Sequence, residues 1–489
     1  MMISKRKRAK RLTAIVVTII LMLSLCTNAL ACTTVIVGKE ASDDGSVIIS
    51  RNEDYAGAWA KRFIVVPRRE YKDGEKLKSL YNGFEIERAK VEYKYTAMPD
   101  WDLSEGRFYA AGINEYNVSV TATNTHRANE KAEATDPFNK DGIGEPIIVP
   151  LLLPRIQTAK DGVDLFGKMI EEYGADGAYG IVIADKNEAW YLEVGSGHRW
   201  VAVRVPDDKT LVVANELRID KVDLSDTSNY KGSKDLITFA EENGLYDKEK
   251  EEFDFAKAYG VVGHKANTRR VWWGQHLLTP SVKQNPEDER YPLFTTPDQK
   301  VSVKDVMNIL RSHMSGTKYD PDTESGKGER AIGVPATVES HVIQLRDDLP
   351  EEIAGLQWIC FGGQRFNTYL PFYGGITDTP EPYKKGTDVF DEESAYWTFR
   401  SVAALGEMDI EKYGKYIAGY WDDYENQLIT QQTAIDDAIV KLYKEDKEAA
   451  LKLINDYCHG IAIKAIEDAK QLKRDVITRM AEHRALENK

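Results

Sequence analysis

The chain is poor in cysteine, has no excess of basic residues and, beyond its first 31 residues, has no apolar run of 18 residues. It contains 4 Cys in 489 residues, and none forms a CxxC pair or a Cys/His cluster with zinc spacing. Lys and Arg number 65 against 79 Asp and Glu, which argues against nucleic acid as a partner. The sequence has no Walker motif, no dinucleotide-binding fingerprint after a strand and no internal repeat. We therefore expect no metal and no cofactor.

Composition allows a large folded core. Hydrophobic residues make up 42% of the chain, and 35 Gly and 17 Pro are too few for a collagen-like or disordered protein. The length suits one large domain or two to three ordinary ones.

The first 31 residues have the pattern of a secretory signal peptide. Six cations between Lys5 and Arg11 precede an apolar stretch, Leu12–Leu25, and the small residues Ala29 and Ala31 follow. The apolar stretch is short for a membrane span. We predict cleavage after Ala31 and a secreted or extracytoplasmic product with no stable membrane insertion. An uncleaved anchor helix is the alternative.

Cleavage there would make Cys32 the first residue. A terminal cysteine can act as a nucleophile with its own α-amine as base, because the ordinary amine pKa of about 7.7–8.0 suits proton transfer near neutral pH. A lipidated cysteine is a second interpretation, but lipoproteins place Leu three residues before Cys and a small residue two before, where this chain has Ala29 and Leu30. A third is a structural cysteine that begins a strand. The other two mature cysteines, Cys360 and Cys458, are expected in the core.

Two strands around the turn Ala41–Gly45 predict an antiparallel hairpin that begins at Cys32. A hairpin centred near Ser42 places Cys32 opposite Asn52, beside Arg51. We expect Arg51 to favour the thiolate and hold substrate, and Asp54 to anchor the terminal ammonium. A surface ion pair at a strand end is the structural alternative.

Cys32-Thr33-Thr34 and Arg51-Asn52-Glu53-Asp54 resemble the opening of the peptidase family C69 dipeptidases. These are N-terminal nucleophile hydrolases, distantly similar to penicillin V acylase and bile salt hydrolase. The resemblance runs from Cys32 to about residue 400, and more weakly to the end of the chain. It includes the segments Glu188–Glu193, Gly197–Trp200, Arg204–Asp208, Asn267–Trp272, Arg311–Asp320 and Pro371–Ile376.

The resemblance implies an α+β fold, the four-layer αββα sandwich of N-terminal nucleophile hydrolases. The residue pattern alone supports mixed helix and sheet, with much antiparallel pairing. It predicts a strand meander over residues 179–214 and covering helices over Asp161–Tyr173 and Val303–His313.

The resemblance also implies further site residues. Asn124, ten residues beyond Asn114, corresponds to an oxyanion-hole amide, with an ordinary turn as the alternative. Asn215 corresponds to a second polar site residue. An active-site arginine falls on Arg269 or Arg270, and Arg270 aligns better.

We expect three segments: the signal peptide 1–31, a hydrolase domain 32–393 and a helical C-terminal region 394–489, which contains no proline. We expect this last region to pack on the catalytic body. The acidic stretch Asp320–Glu324 lacks the spacing of an EF-hand and is expected to be a solvated loop.

The sequence thus predicts an exported cysteine-type dipeptidase acting on dipeptides or short peptides. An amide acylase of the penicillin V acylase or bile salt hydrolase type is the alternative within the superfamily. A lipid-anchored surface protein without catalysis is the alternative outside it. Dipeptide preference and assembly into a homo-oligomer stay open.

Overall fold

The computed structural model describes residues 32–104, 106, 108–123 and 126–487, with only the backbone of residue 123 and of residues 484–487. The predicted signal peptide and Asn124 lie outside the described residues. No helix in these ranges is both long enough and apolar enough to cross a membrane.

In the described part of the chain ten strands come first, helices and strands are mixed in the middle, and helices come last. The strands are β1 Thr33–Val37, β2 Val47–Asp54, β3 Ile64–Val66, β4 Arg69–Glu70, β5 Lys76–Lys78, β6 Glu85–Glu87, β7 Val91–Glu92, β8 Tyr95–Ala97, β9 Ala111–Ile113, β10 Ser119–Thr123, β11 Tyr179–Ala184, β12 Ala189–Val194, β13 Trp200–Arg204, β14 Thr210–Val213, β15 Tyr230–Gly232, β16 Phe294–Thr295, β17 Thr337–Leu345, β18 Gly355–Phe361 and β19 Leu370–Tyr373. The helices are α1 Glu130–Thr135, α2 Glu145–Leu152, α3 Ala159–Tyr173, α4 Leu236–Glu242, α5 Phe255–Tyr259, α6 Lys265–Leu278, α7 Val303–Leu310, α8 Glu351–Ala354, α9 Ala395–Met408, α10 Lys415–Glu445 and α11 Lys447–Glu487.

Two antiparallel sheets form the centre of the molecule. One has the strand order β16-β14-β1-β2-β17-β18-β19, and the other has the order β15-β13-β12-β11-β10-β9. Strand β2 of the first sheet contacts β10 and β11 of the second. Helices α2 and α3 cover the second sheet, while α6 and α7 lie on the first. The expected αββα layering is confirmed.

Side-chain alternation along the second sheet explains why it is covered on both faces. Ile181 and Ile183 of β11 pack in the core shared with α2 and α3, whereas Val182 and Ala184 pack in the core shared with the first sheet. Since successive residues of a strand point to opposite faces, a strand that is apolar at every position must be buried on both.

The predicted meander over residues 179–214 is correct for three strands and wrong for the fourth. Strands β11, β12 and β13 are neighbours, but β14 leaves their sheet and pairs with β1. The turn before β14 is hydrogen-bonded to the loop after β1, with Gly38 N–H donating to Lys209 O and Glu40 N–H to Asp207 O. This crossover carries Asn215, just beyond β14, to the end of the sheet where Cys32 lies.

The two predicted covering helices are present. Helix α3 begins after Thr158, whose side chain accepts from the Asp161 N–H. The second prediction, Val303–His313, extends three residues too far because α7 ends at Leu310. The carbonyl of Leu310 accepts instead from the side chains of Asn52 and Gln364, at 2.8 and 2.9 Å.

Helices α9 to α11 pack on the far end of the first sheet, where α9 contacts β18 and both α10 and α11 contact β19. Their apolar residues belong to the same core as β17 and β18. Cys360 and Cys458 are both buried and free of disulfides within the described ranges, as expected. The segment boundary at residues 393 and 394 stays a prediction.

One buried carboxylate ties α10 to the sheet. Glu425, fully buried, accepts from both terminal nitrogens of Arg311 at 3.0 Å, from Lys304 at 2.8 Å and from the Tyr369 N–H at 3.0 Å. Burial alone would raise the pKa of Glu425, but the charges of Arg311 and Lys304 lower it below its ordinary value. Its contribution to stability is therefore present at neutral pH and is lost as the pH falls through this lowered pKa.

Replacing Glu425 with Gln is expected to lower the free energy of unfolding by about 3–5 kcal/mol, because it leaves a buried arginine without its counter-charge. Urea unfolding followed by circular dichroism measures this change. Glu411→Gln is the control, since Glu411 pairs with Lys415 at the exposed start of α10, and its loss should change stability by less than about 1 kcal/mol. Equal effects of both substitutions would contradict the prediction.

Candidate active site

Strand register decides which face of the sheet Cys32 occupies. The predicted pairing of Cys32 with Asn52 is wrong by one residue, since Thr33 pairs with Asn52 and Thr34 with Arg51. The loop between β1 and β2 is held by hydrogen bonds to Asp207 and Val301, and this fixes the register. Because a one-residue shift moves every side chain to the opposite face, the observed register puts Cys32 on the face of Arg51.

Arg51 links the thiol to the opposite sheet. Its Nη2 donates to Cys32 Sγ at 3.2 Å and to Glu145 Oε1 at 3.3 Å, and its Nη1 donates to Ala110 O at 3.2 Å. Ala110 immediately precedes β9, and Glu145 begins α2. Arg51 is 1% exposed and Cys32 6% exposed. The expected contact between this guanidinium and the thiol is therefore present, in the space between the sheets.

The groups around Cys32 shift the pKa of its thiol in opposite directions. Burial raises the pKa of Cys32 above its ordinary value, while the charge of Arg51 and the backbone N–H of Asp54 lower it. Asp54 and Glu145 also raise it through their negative charge. The burial effect prevails in the full chain, in which Cys32 is still joined to Ala31. Arg51 is thus the main group that favours the thiolate.

Arg270 holds the backbone of Cys32 from the other face of the sheet. Its Nη1 donates to Cys32 O at 2.6 Å and to Thr33 Oγ1 at 2.9 Å. Its Nη2 donates to Asn215 Oδ1 at 2.7 Å and to Asn267 Oδ1 at 2.8 Å. With Nε donating to the α6 backbone, all five N–H groups of this fully buried guanidinium are used. Burial and Arg330 lower the pKa of Arg270 to about 9.

Of the two adjacent arginines, Arg269 and Arg270, one faces the Cys32 backbone and the other faces away from it. Arg269 points away from Cys32, pairs with Glu329 and Glu287 and lies over the ring of Tyr319. Of the two, Arg270 is the one that contacts Cys32 and Asn215. Successive residues of a helix lie about 100° apart, so only one of the pair can face the sheet.

Asp54 lies at the end of β2, where the pairing with β17 is irregular between Thr337 and Glu339. Its carboxylate accepts from Thr337 Oγ1 and from Arg330 Nη2, each at 2.5 Å. The Asp54 N–H faces the Cys32 thiol, while the Asp54 carboxylate stays on Arg330.

Sequence reasoning missed Glu145, Arg330 and Asn267. Glu145 is 4% exposed although it begins a helix, and its only sequence signal is the Gly-Glu-Pro turn that starts α2. Arg330 sits in a loop with no regular pattern. Asn267 is three residues before Arg270, on the same face of α6, and could have been found from that spacing.

His313, Asp320 and Asp322 form a group with potential metal-ligand atoms within 4.8 Å of one another. Arg365 already faces this group, with Nη1 at 3.1 and 3.2 Å from the two ring nitrogens of His313 and Nη2 paired with Asp322. Burial and Arg365 lower the pKa of His313 to about 4. A guanidinium beside the ligands disfavours a cation, so we assign no metal to this group.

Replacing Arg51 with Met is expected to raise the pKa of the Cys32 thiol, because the charge that favours the thiolate is removed. The rate of Cys32 alkylation by iodoacetamide, followed by mass spectrometry across pH, should reach its midpoint at a higher pH than in the unsubstituted protein. Arg269→Met is the control, since Arg269 makes no contact with Cys32 in the described structure. An unchanged midpoint in the Arg51 variant would contradict the prediction.

Comparison with known proteins defines the family. The model of peptidase family C69 matches residues 31–423. The chain belongs to peptidase family C69. It is accordingly a hydrolase of peptide bonds, and the match begins next to Cys32 and extends into α10.

Curated relatives in the family align over most of their own length. A protein of Latilactobacillus sakei named probable dipeptidase is 36% identical over 456 residues, covering 92% of this chain and 95% of that protein. One of Salmonella dublin with the same name is 38% identical over 396 residues, covering 78% and 91%. A probable dipeptidase B of Streptococcus pyogenes serotype M1 is 32% identical over 455 residues, covering 90% and 91%.

A solved structure is also similar in outline, that of a mutant conjugated bile acid hydrolase from Clostridium perfringens. It covers 70% of this chain and 92% of that chain, with 11% identity and a TM-score of 0.34.

Proposed function

We propose that this chain is an exported cysteine-type dipeptidase whose nucleophile, Cys32, is freed by cleavage after Ala31. The observation that carries the proposal is the contact of the Cys32 thiol with the buried Arg51, at the residue where a cleaved leader would leave a new N-terminus. Family membership and the dipeptidase names of several relatives support peptide substrates with two residues or few more.

In the proposed mechanism the α-amine of Cys32 takes the thiol proton, directly or through water. The sulfur attacks the scissile carbonyl carbon, and the amide of Asn124 with backbone N–H groups stabilises the oxyanion. The ammonium returns its proton to the leaving nitrogen, which departs as an amine and leaves a thioester. Water then hydrolyses the thioester, releasing the carboxylic acid and restoring the thiol.

The other residues position these groups. Arg270 donates to the Cys32 carbonyl and to Asn215, so we assign it the role of holding the nucleophile and Asn215 in register. Arg51 favours the thiolate. Asp54 is assigned to the terminal ammonium, which exists only after cleavage. The proposed hydrolase domain spans residues 32–393, and the helices beyond it support the first sheet.

The test begins with the full chain expressed in an exporting bacterial host. Intact mass of the purified product should show Cys32 as an unmodified first residue, and that product should hydrolyse unmodified dipeptides in a panel that also contains longer peptides and acylated amines. A lipidated Cys32 or a retained leader in the active form would overturn the proposed mechanism. Hydrolysis restricted to acylated amines would instead indicate an acylase.

A further inference from the structure

Glu145 is a buried acid beside the nucleophile with one oxygen unused. Its Oε1 accepts from Arg51, whereas Oε2 has no hydrogen-bond partner among the residues that the structure describes. The residue is 4% exposed. A buried carboxyl oxygen without a hydrogen-bond partner is costly, and a ligand cation that pairs with it would remove that cost. We propose that Glu145 binds the α-ammonium group of the peptide substrate, an inference that rests on the proposed function and names its specificity.

The short distance between the Glu145 carboxyl group and the Cys32 sulfur supports this assignment. The same Arg51 Nη2 atom contacts Cys32 Sγ at 3.2 Å and Glu145 Oε1 at 3.3 Å, so thiol and carboxylate are separated by a single nitrogen atom. In a peptide cut after its first residue, the α-nitrogen is only two covalent bonds from the carbonyl carbon that the sulfur attacks. A carboxylate this close to the sulfur is therefore within reach of that nitrogen.

The local charge balance favours a cation. Asp176 lies next to the start of α2, since a Cβ on Gly144 would fall 2.1 Å from its Oδ2. Burial raises the pKa of Glu145 to about 8 even with Arg51 beside it, and burial raises the pKa of Asp176 to about 7. The ionised form of Glu145 is therefore disfavoured in the free protein, since Glu53 and Asp176 add negative charge beside it. An arriving ammonium group would supply the missing positive charge.

The assignment separates the dipeptidase from the acylase alternative. A free α-ammonium is present in every unmodified peptide and absent from an N-acylated amine. An N-acetylated dipeptide retains the scissile bond and both side chains but brings a neutral amide to Glu145. It should therefore bind poorly.

Substrate pairs and one variant test the proposal, using protein purified after export and processing. For the dipeptide that the unsubstituted enzyme cleaves fastest, N-acetylation should lower kcat/KM by at least about 100-fold. Glu145→Gln should lower kcat/KM for the free dipeptide by about 10- to 100-fold, as expected for a lost charged hydrogen bond, and leave the N-acetylated form unaffected. Glu92→Gln is the matched control, because Glu92 is also a buried acid bound to an arginine, Arg88, and its Oε1 accepts no hydrogen bond in the described structure, with Arg155 3.6 Å away.

A second measurement does not depend on turnover. L-Alaninamide should protect Cys32 from iodoacetamide more strongly than N-acetyl-L-alaninamide does, and Glu145→Gln should remove that difference. Equal losses on both substrates in Glu145→Gln would show that Glu145 only positions Arg51 and would overturn the inference. So would equal cleavage of free and N-acetylated dipeptides by the unsubstituted enzyme. An enzyme that hydrolyses no peptide at all would overturn the proposed function itself.

Discussion

Replacement of Cys32 with Ala is expected to lower the rate of dipeptide hydrolysis by at least about 10⁴-fold, because no other group at the site can form the thioester. The fold should survive. The side chain is small and ends at Arg51, so the free energy of unfolding should change by no more than about 2 kcal/mol. Steady-state hydrolysis of a dipeptide and urea unfolding measure the two quantities.

Cys360→Ala is the matched control for this substitution. Cys360 is also buried and free, but it lies in β18 with Arg311 and Glu425 as charged neighbours, and burial raises its pKa far above the ordinary value. That variant should keep nearly full activity. Dipeptide hydrolysis that persists in Cys32→Ala, or disappears in Cys360→Ala with the fold intact, would contradict the assignment of the nucleophile.

Blocking the α-amine of Cys32 is expected to lower hydrolysis by about 10²- to 10⁴-fold, the contribution of a general base. Two forms can be cut from one fusion protein, one beginning at Cys32 and the other carrying a single extra Gly before it. Only the first has an amine beside the thiol. Its activity should rise with pH through the titration of that amine, whose ordinary pKa is about 7.7–8.0.

The thiol itself serves as the control for that experiment. Both forms should still react with iodoacetamide at Cys32, since Arg51 and Arg270 contact it through its side chain and carbonyl rather than its nitrogen. Equal hydrolysis by the two forms would mean that another group is the base. Loss of both hydrolysis and alkylation would mean that the extra residue blocks the site sterically.

Cys32, Arg51 and Asp54 could be predicted as site residues because all three lie in one hairpin. Cys32 and Arg51 are brought together by pairing two neighbouring strands, an interaction that composition and turn residues indicate directly. Even here the register was wrong by one residue, since contacts with Asp207 and Val301 determine it. Local sequence contains no information about such distant contacts.

The remaining site residues needed either the family resemblance or the structure. Asn215 lies beside Cys32 because the chain leaves the second sheet after β13 and pairs β14 with β1. Arg270 faces Asn215 because of its angular position on α6. Glu145 comes from the start of α2, the helix that covers the opposite sheet, and its sequence resembles any helix start. Asn124 lies outside the described residues, and its oxyanion role stays a prediction.

By itself, the sequence determined the mixed composition of the fold, the hairpin that begins at Cys32 and the family to which the chain belongs. Those features depend on neighbours in the chain or on motifs in a fixed order. Tertiary structure alone decided that Arg51 bridges the thiol to Glu145, and that Arg270 rather than Arg269 holds the Cys32 carbonyl. The reason is physical: these contacts join the two sheets and a helix, and their geometry follows from packing between layers that are distant in sequence.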